Sequence, residues 1–211
     1  MPRLKQVSRK DVKDPKVLER FEQFFPEGRD PVEQPGTRTG TPGNWWTVLS
    51  NQPEALKGMH AFSYSHCTVD AQLRELAMTR AGYVKGSQFV YSQHMKGARR
   101  SGLSEEQAQA IAYWNIANCF SDLQRAVLAL CDGMVLEAGR VHDKVFEVLK
   151  ANLSDGEIIE LVHLVNSFAS HATTCKVLRM EYDDVPDRVV EIPVPKTPRV
   201  QNHLDPASWN K

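Results

Sequence analysis

Apolar residues recur at helical intervals along most of the chain between residues 45 and 180. The clearest run lies in residues 70–85, where the apolar positions are Leu73, Leu76, Ala77, Ala81 and Val84. Steps of three and four residues place such side chains on one face of an α-helix. Asp70 precedes the run as a suitable N-cap, and Gly86 follows it as a residue that ends helices. The pattern therefore predicts a helix with one buried face.

Comparable patterns predict further helices at residues 12–24, 52–65, 87–101, 119–137 and 141–151. Two capping boxes, Ser104 to Gln107 and Ser154 to Glu157, each open a helix, and the second helix continues to about residue 173. The sequence shows no alternation of strands and helices, no glycine-rich phosphate loop and no internal repeat. It predicts an all-α fold of about seven helices.

The two ends of the chain differ in composition from this helical region. Residues 26–43 are rich in proline and glycine, which is typical of a loop. From Tyr182 onward the chain contains five prolines and the alternating stretch VVEIPVP, so it cannot build a core of its own. We expect an N-terminal helix and loop at 1–44, a helical domain at 45–180 and an extended tail at 181–211. The tail is expected to wrap the domain or a neighbouring subunit.

Charge and composition exclude several classes of partner. The chain has 26 basic and 26 acidic side chains, with 41% hydrophobic and 25% charged residues, which are ordinary values for a globular protein. Without a basic excess or a run of like charge, neither nucleic acid nor a membrane surface is an expected partner. No apolar run approaches the roughly 20 residues that span a bilayer. The N-terminal stretch MPRLKQVSRKDVKD lacks the apolar segment of a secretory signal. We therefore expect a cytoplasmic protein.

The cysteines and histidines do not form a recognisable metal site. The four cysteines are widely spaced without a C-x-x-C pair, at Cys67, Cys119, Cys131 and Cys175. Without an export signal, we expect reduced and buried thiols. His60 and His66 are six residues apart, which is not the spacing of a helical metal pair. His171 and Cys175 have the right spacing, but two ligands do not make a zinc site, so no metal is expected.

Glu75 and His94 are the candidates for proton-transfer chemistry. If the predicted helices on either side of Gly86 form an antiparallel hairpin, the two residues lie 11 and 8 positions from the bend. A rise of about 1.5 Å per residue then lets the side chains meet. A carboxylate that faces an imidazole fixes its tautomer and raises its basicity. In the alternative interpretation, Glu75 pairs with a basic residue such as Arg74 or Arg80, and His94 is a structural helix residue.

Residues 73–111, LRELAMTRAGYVKGSQFVYSQHMKGARRSGLSEEQAQAI, resemble the signature of the carboxymuconolactone decarboxylase and alkylhydroperoxidase AhpD superfamily. The positions that match are Glu75, His94, Gly102, Leu103 and Ser104. The resemblance extends, less specifically, over roughly residues 45–180. It implies an AhpD-like helical domain in which His94 and Glu75 are catalytic, without cofactor or metal. It also implies a homo-oligomer, as a dimer, trimer or hexamer.

One departure from the superfamily pattern narrows the expected chemistry. The peroxidase branch carries a C-x-x-C pair that would fall at Ser87 and Val90, where neither side chain forms a thiolate. Peroxidase activity is therefore not expected, and the resemblance points to the decarboxylase side. It implies a cofactor-independent C–C lyase or isomerase that acts on a small oxygenated aromatic, carboxylated or lactone substrate. The alternative is a non-catalytic small-molecule-binding or assembly protein of the same fold.

Six further residues are candidates for substrate binding: Tyr91, Gln93, Ser87, Tyr64, His66 and Trp46. Tyr91 and Gln93 lie beside His94 and are able to hydrogen-bond substrate oxygens, although a structural role is equally consistent with their position. Trp46 follows the proline- and glycine-rich loop, where it either lines a pocket or closes over the core.

Overall fold

The computed structural model describes residues 1–61 and 67–192, and within these ranges the fold is all-helical. The described residues contain nine α-helices, two 3₁₀-helices (Arg9–Asp11 and Ile111–Tyr113) and no strand. The α-helices are α1 (Pro15–Phe24), α2 (Asn44–Leu49), α3 (Pro53–Met59), α4 (Ala71–Val84), α5 (Gln88–Arg100), α6 (Glu105–Ala110), α7 (Asp122–Val135), α8 (Asp143–Asn152) and α9 (Asp155–Leu178). The prediction of an all-α fold is confirmed.

Capping residues account for most of the helix boundaries. At the start of α4, the Asp70 carboxylate accepts hydrogen bonds from the backbone N–H groups of Gln72 and Leu73. The predicted capping boxes at Ser104 and Ser154 are both present and open α6 and α9. Such side chains satisfy backbone donors that the first helical turn leaves unpaired. The local sequence therefore sets where these helices begin.

The structure also differs from the prediction of about seven helices. Helix α2 has only six residues, which is too short for a periodic pattern to show, and the sequence analysis missed it. Helix α3 ends at Met59, and the rest of the predicted helix at 52–65 includes residues 62–65, which lie outside the described residues. Helix α9 continues to Leu178, beyond its predicted end near residue 173. Among the described residues, none of the helices combines the length and apolarity that crossing a membrane requires.

Helix α4 lies at the centre of the fold and packs against α5, α7 and α9. Its residues Leu76, Ala77 and Ala81 are fully buried. A second, smaller cluster forms where α1 and α3 meet, and it consists of Val17, Phe21, Phe25 and Leu56. Trp46 of α2 packs against both clusters, so this short helix joins the N-terminal segment to the main core.

A largely buried ion pair fixes α4 against α7. The Arg80 guanidinium donates from Nε and an Nη atom to the two carboxylate oxygens of Asp132, at 2.7 and 2.8 Å. It also donates to the backbone carbonyls of Ile111 and Ala112, and the Trp114 indole N–H donates to Asp132. Arg80 thus pairs with Asp132 and not with Glu75, which removes one of the alternatives left open by the sequence.

We expect Arg80→Met to lower the free energy of unfolding by about 1–3 kcal/mol, because the half-buried Asp132 would lose its counter-charge and the carbonyls of Ile111 and Ala112 would lose a donor. Denaturant unfolding followed by circular dichroism measures this loss. Arg100→Met is the matched control, since Arg100 is exposed at the end of α5. Arg80→Lys should restore little of the stability, because an ammonium cannot make the same fork of bonds. Equal stability of the Arg80 and Arg100 variants would contradict the role assigned to the ion pair.

Candidate active site

Helices α4 and α5 form the antiparallel hairpin that the sequence predicts. Gly86 stands in the bend with a φ of 62°, a left-handed conformation that glycine adopts without strain. Close to the bend, a Cβ on Gly82 would lie 2.7 Å from the backbone nitrogen of Tyr91, so only glycine permits the observed approach. The two helix backbones therefore pack directly against each other.

This hairpin brings the two predicted catalytic side chains together. His94 Nδ1 lies 2.9 Å from Oε2 of Glu75, and both side chains are partly accessible, at 15% and 23%. The Glu75 carboxylate fills the space beside Gly97, where an added Cβ would lie 2.5 Å from the Glu75 Cδ atom. The predicted contact between the Glu75 and His94 side chains is thus confirmed. Because Gly97 has no side chain, it leaves the space that the Glu75 carboxylate occupies.

The contact determines how the imidazole can act. An ionised carboxylate only accepts hydrogen bonds, so His94 donates from Nδ1, and in the neutral ring Nε2 carries the free lone pair. Among the described residues, Nε2 of His94 has no hydrogen-bond partner. The ring packs edge-on against Phe168 of α9, with centroids 4.4 Å apart. The pair therefore presents one oriented basic nitrogen, as a general acid/base catalyst requires.

A second imidazole, that of His171, packs against an aromatic cluster that consists of Phe168 and Trp45. Its ring centroid is 5.6 Å from that of Phe168 and 3.4 Å from that of the buried Trp45. Burial, followed by the neighbouring His94 and His60, lowers the pKa of His171 well below its ordinary value. Its Nε2 is buried without a hydrogen-bond partner in the described part of the chain. The sequence analysis considered His171 only as a metal ligand and missed this position.

Ser87 is fully buried and has a structural role at the start of α5. Its Oγ accepts a hydrogen bond from the Val90 N–H as the N-cap, and its O–H donates to Glu181. Backbone N–H groups of Gln88 and Phe89 also stabilise the Glu181 carboxylate, whose pKa is nevertheless raised by burial. Because Glu181 covers Ser87, a substrate reaches this predicted binding residue only if Glu181 moves.

Glu181 belongs to a segment, residues 181–192, that we call the C-terminal strap. The strap runs antiparallel to α5 and is bonded to it at several points. Lys96 Nζ lies 2.5 Å from Oδ1 of Asp187, Ser92 Oγ accepts from the Val190 N–H at 2.9 Å, and the Ile192 N–H donates to the Gln88 side chain. This part of the predicted tail wraps the protein's own domain.

The other predicted substrate-binding residues are dispersed. Tyr91 is 5% exposed and packs beside Tyr83, and burial raises the pKa of its hydroxyl. Gln93 has a buried Nε2 without a hydrogen-bond partner among the described residues, so it is free to bind a polar group.

Trp46 is stacked with Phe24 and His60, at centroid distances of 4.2 and 4.7 Å. Tyr64 and His66 lie outside the described residues, so their predicted roles stay predictions.

The structure offers little for metal or thiol chemistry in its described part. No group of three or more His, Cys, Asp or Glu side chains there is arranged to hold a metal ion. Burial raises the pKa of the thiols of Cys67, Cys131 and Cys175, which makes them poor nucleophiles near neutral pH. The only other cysteine, Cys119, is also a free thiol.

Comparisons with known proteins agree with this fold. Residues 53–133, which include Glu75 and His94, match the model of the carboxymuconolactone decarboxylase family. A protein of unknown function from Agrobacterium tumefaciens is 24% identical, with 64% of this chain and 94% of that chain covered and a TM-score of 0.59. An uncharacterized peroxidase-related protein from Ralstonia eutropha JMP134, described as an alkylhydroperoxidase AhpD core, is 15% identical, with 85% of this chain and 94% of that chain covered and a TM-score of 0.64.

The debrominase Bmp8, in a complex of one of its variants with 2,3,4-tribromopyrrole, is 13% identical, with 87% of this chain and 95% of that chain covered and a TM-score of 0.59. No curated protein sequence matches the chain. At these identities, the solved structures establish a shared fold.

We expect Gly97→Ala to push the Glu75 carboxylate away from His94, and the loss of this contact should offset the roughly 0.5–1 kcal/mol that alanine gains over glycine inside a helix. In a Glu75→Ala background the same substitution should show the full gain, because the space beside residue 97 is then empty. Denaturant unfolding of the four proteins of this double-mutant cycle measures the coupling. Gly58→Ala is the control, since nothing lies within 4 Å of a Cβ added there. Additive effects of Gly97→Ala and Glu75→Ala would contradict the proposed contact.

Proposed function

We propose that this member of the carboxymuconolactone decarboxylase and AhpD-like superfamily is a cofactor-independent C–C lyase or isomerase. Its substrate would be a small oxygenated aromatic, carboxylated or lactone compound, and His94 would transfer the proton. The observation that carries the proposal is the 2.9 Å contact between His94 Nδ1 and Glu75 Oε2, which leaves Nε2 of the imidazole as the reactive nitrogen. A histidine is suited to this task because its ordinary pKa lies near neutral pH.

The two forms of the reaction use the same nitrogen. In a decarboxylation, the bond to the carboxylate breaks, carbon dioxide leaves, and the electron pair enters a conjugated carbonyl or lactone of the substrate. Protonated His94 then donates its Nε2 proton to the resulting carbanion. In a loss of formaldehyde, neutral His94 first takes the hydroxymethyl O–H proton as the C–C bond breaks, and the imidazolium then returns this proton to the carbanion. In an isomerisation, neutral His94 removes a proton from a carbon beside the carbonyl and returns it at another carbon. Glu75 stabilises the imidazolium in each case.

Two observations weigh against a thiol mechanism like that of the peroxidase branch. The positions of the C-x-x-C pair are taken by Ser87 and Val90, which are both buried. Glu181 places a carboxylate against the first backbone N–H groups of α5, where a helix N-terminus would otherwise stabilise a thiolate. In this chain, the contact between Ser87 and Glu181 thus stands where the peroxidase branch has its C-x-x-C pair, whereas the Glu75–His94 pair is present.

A non-catalytic small-molecule-binding or assembly protein is the second candidate. The observation that favours it is the low exposure of the His94 side chain, which is only 15% accessible. Exposed apolar side chains such as Ile116, Leu136 and Ile159 are consistent with self-association, and we propose a homo-oligomer. Light scattering of the full chain and of a chain truncated at Asp184 tests whether the tail contributes to assembly, and an unchanged size would argue against that role.

The test of catalysis uses aromatic acids, lactones and hydroxymethyl phenols, without added metal or thiol. Mass spectrometry detects loss of carbon dioxide or formaldehyde, or deuterium uptake from solvent. We expect His94→Ala to lower turnover by about 100- to 10,000-fold, because it removes the acid/base group. His142→Asn is the matched control, since His142 is an exposed N-cap and asparagine keeps the cap.

Turnover that survives in His94→Ala would move the catalytic base elsewhere and contradict the proposal. If no compound turns over but the same compounds raise the melting temperature of both wild type and His94→Ala, the binding protein is supported instead.

Alkylation of the accessible thiols provides a separate check on the thiol mechanism. We expect iodoacetamide to leave lyase or isomerase turnover within about twofold of the untreated enzyme, because the proposed chemistry uses no thiolate. The treated and untreated enzymes are compared in the same mass-spectrometric assay, with mass analysis of the protein to show which cysteines reacted. Loss of turnover upon labelling of Cys67 alone would contradict a purely histidine-centred mechanism.

A further inference from the structure

Two buried nitrogen atoms near His94 lack a hydrogen-bond partner within the described residues. They are Nε2 of Gln93, on α5, and Nε2 of His171, on α9, and they are the two buried side-chain polar atoms of residues 1–61 and 67–192 for which this holds. A buried polar atom without a partner costs stability, and folded proteins keep few of them. Two such atoms near one candidate catalytic group indicate a ligand that supplies the missing bonds.

The packing of α5 against α9 brings the two side chains to the same place. The Phe89 ring lies 6.0 Å from the His171 ring, centroid to centroid. Five residues further along α5, the His94 ring lies 4.4 Å from Phe168, which precedes His171 by three residues on α9. With 3.6 residues per turn, Gln93 stands between Phe89 and His94 around the axis of α5. It therefore faces the same stretch of α9.

The His171 ring is neutral at neutral pH. Burial lowers its pKa well below the ordinary value, and the neighbouring His94 and His60 add to this effect. Trp45 covers one face of the ring, with centroids 3.4 Å apart. A neutral imidazole donates a hydrogen bond to an oxygen atom that gains negative charge, and it keeps its own proton in doing so. The amide Nε2 of Gln93 is likewise an uncharged donor.

The surroundings of these donors are aromatic. Phe89 and Phe168 are almost fully buried. The side chains of Gln93, His94 and His171 each keep a part exposed, so they are not sealed inside the core. In apolar surroundings a hydrogen bond to a charged oxygen is stronger than in water, because the dielectric constant is low. This setting suits a planar, conjugated carbonyl compound that passes through an enolate.

We propose that Gln93 and His171 bind the substrate oxygen on which negative charge develops, through the N–H groups at their Nε2 atoms. This inference rests on the proposed function and adds the electrophilic groups that the reaction needs. When the bond to the carboxylate breaks, carbon dioxide leaves and the electron pair moves into the conjugated carbonyl, whose oxygen becomes an enolate. The two N–H groups stabilise that oxygen without transferring a proton, and the His94 imidazolium then protonates the carbon.

4-Nitrophenol is the probe for this site, because its phenolate spreads negative charge from an oxygen over a planar ring, as an enolate does. Nitrogen-15 NMR of histidine-labelled protein reports on the His171 ring. We expect saturable binding in which this ring stays neutral and carries its proton on Nε2. 4-Nitroanisole has the same ring but cannot form the anion, and it should bind about tenfold or more weakly.

Gln93→Met should weaken 4-nitrophenol binding by about tenfold or more. It should leave the midpoint of denaturant unfolding unchanged or raised, because it replaces an unpartnered buried amide with an apolar side chain of similar length. Gln109→Met is the matched control, since Gln109 is exposed on α6, and it should bind as wild type does. A purely structural role for Gln93 predicts the opposite result, with lower stability and unchanged binding.

His171→Leu should also weaken the binding, and His171→Gln should restore it to within about threefold of wild type, because a glutamine amide keeps an uncharged N–H donor. With a compound that the wild-type protein turns over, Gln93→Met and His171→Leu should lower kcat more than they raise KM, as groups that act on the charged intermediate do.

The inference is overturned if 4-nitrophenol causes no saturable shift at His171, if 4-nitroanisole binds equally well, or if Gln93→Met lowers stability and leaves binding unchanged. Failure of the proposed reaction is a separate result, since turnover that survives in His94→Ala contradicts that reaction alone. Binding of 4-nitrophenol that depends on Gln93 and His171, without turnover of any compound, would support the oxygen-binding site and contradict the lyase or isomerase.

Discussion

The direct packing of α4 against α5 is the constraint on which the rest of the site depends. Helices with ordinary side chains lie about 8–10 Å apart, because those side chains fill the space between them. Here two glycines, which have no side chain, stand at the points of contact. Gly82 admits the backbone of Tyr91, and Gly97 admits the carboxylate of Glu75. Because α4 is also fixed to α7 through the Arg80–Asp132 pair, the carboxylate is held on a rigid element. A catalytic imidazole benefits from such preorganisation, since its orientation is set before the substrate binds.

The C-terminal strap and the N-terminal segment complete the domain around this hairpin. Asp183 of the strap accepts hydrogen bonds from the backbone N–H groups of Gly43 and Asn44 at the start of α2. The same short helix carries Trp45 and Trp46, which contact His171 and the smaller cluster of α1 and α3. Parts of the chain far apart in sequence therefore meet around α2. The histidines His94, His171 and His60 follow one another along this aromatic cluster, each in a different electrostatic environment.

The sequence predicts the features that depend on local patterns. Helix periodicity and capping residues are local, and so were sufficient for the all-α fold and for the hairpin that joins Glu75 to His94. The role of Gly97 was not predicted, because it depends on a side chain from another helix. Ser87 was predicted to bind substrate, whereas its burial depends on Glu181, which is 94 residues away in the chain. The unpaired Nε2 of His171 likewise follows from tertiary packing, which periodicity does not report.

The most direct test of the account is the tautomer of the His94 ring in the resting protein. Nitrogen-15 NMR of histidine-labelled protein distinguishes a ring protonated at Nδ1 from one protonated at Nε2. The account predicts that neutral His94 carries its proton on Nδ1, toward Glu75, and that this preference is lost in Glu75→Ala. A neutral His94 protonated on Nε2 in the wild-type protein, or a tautomer unaffected by Glu75→Ala, would contradict the claim that Glu75 orients the basic nitrogen.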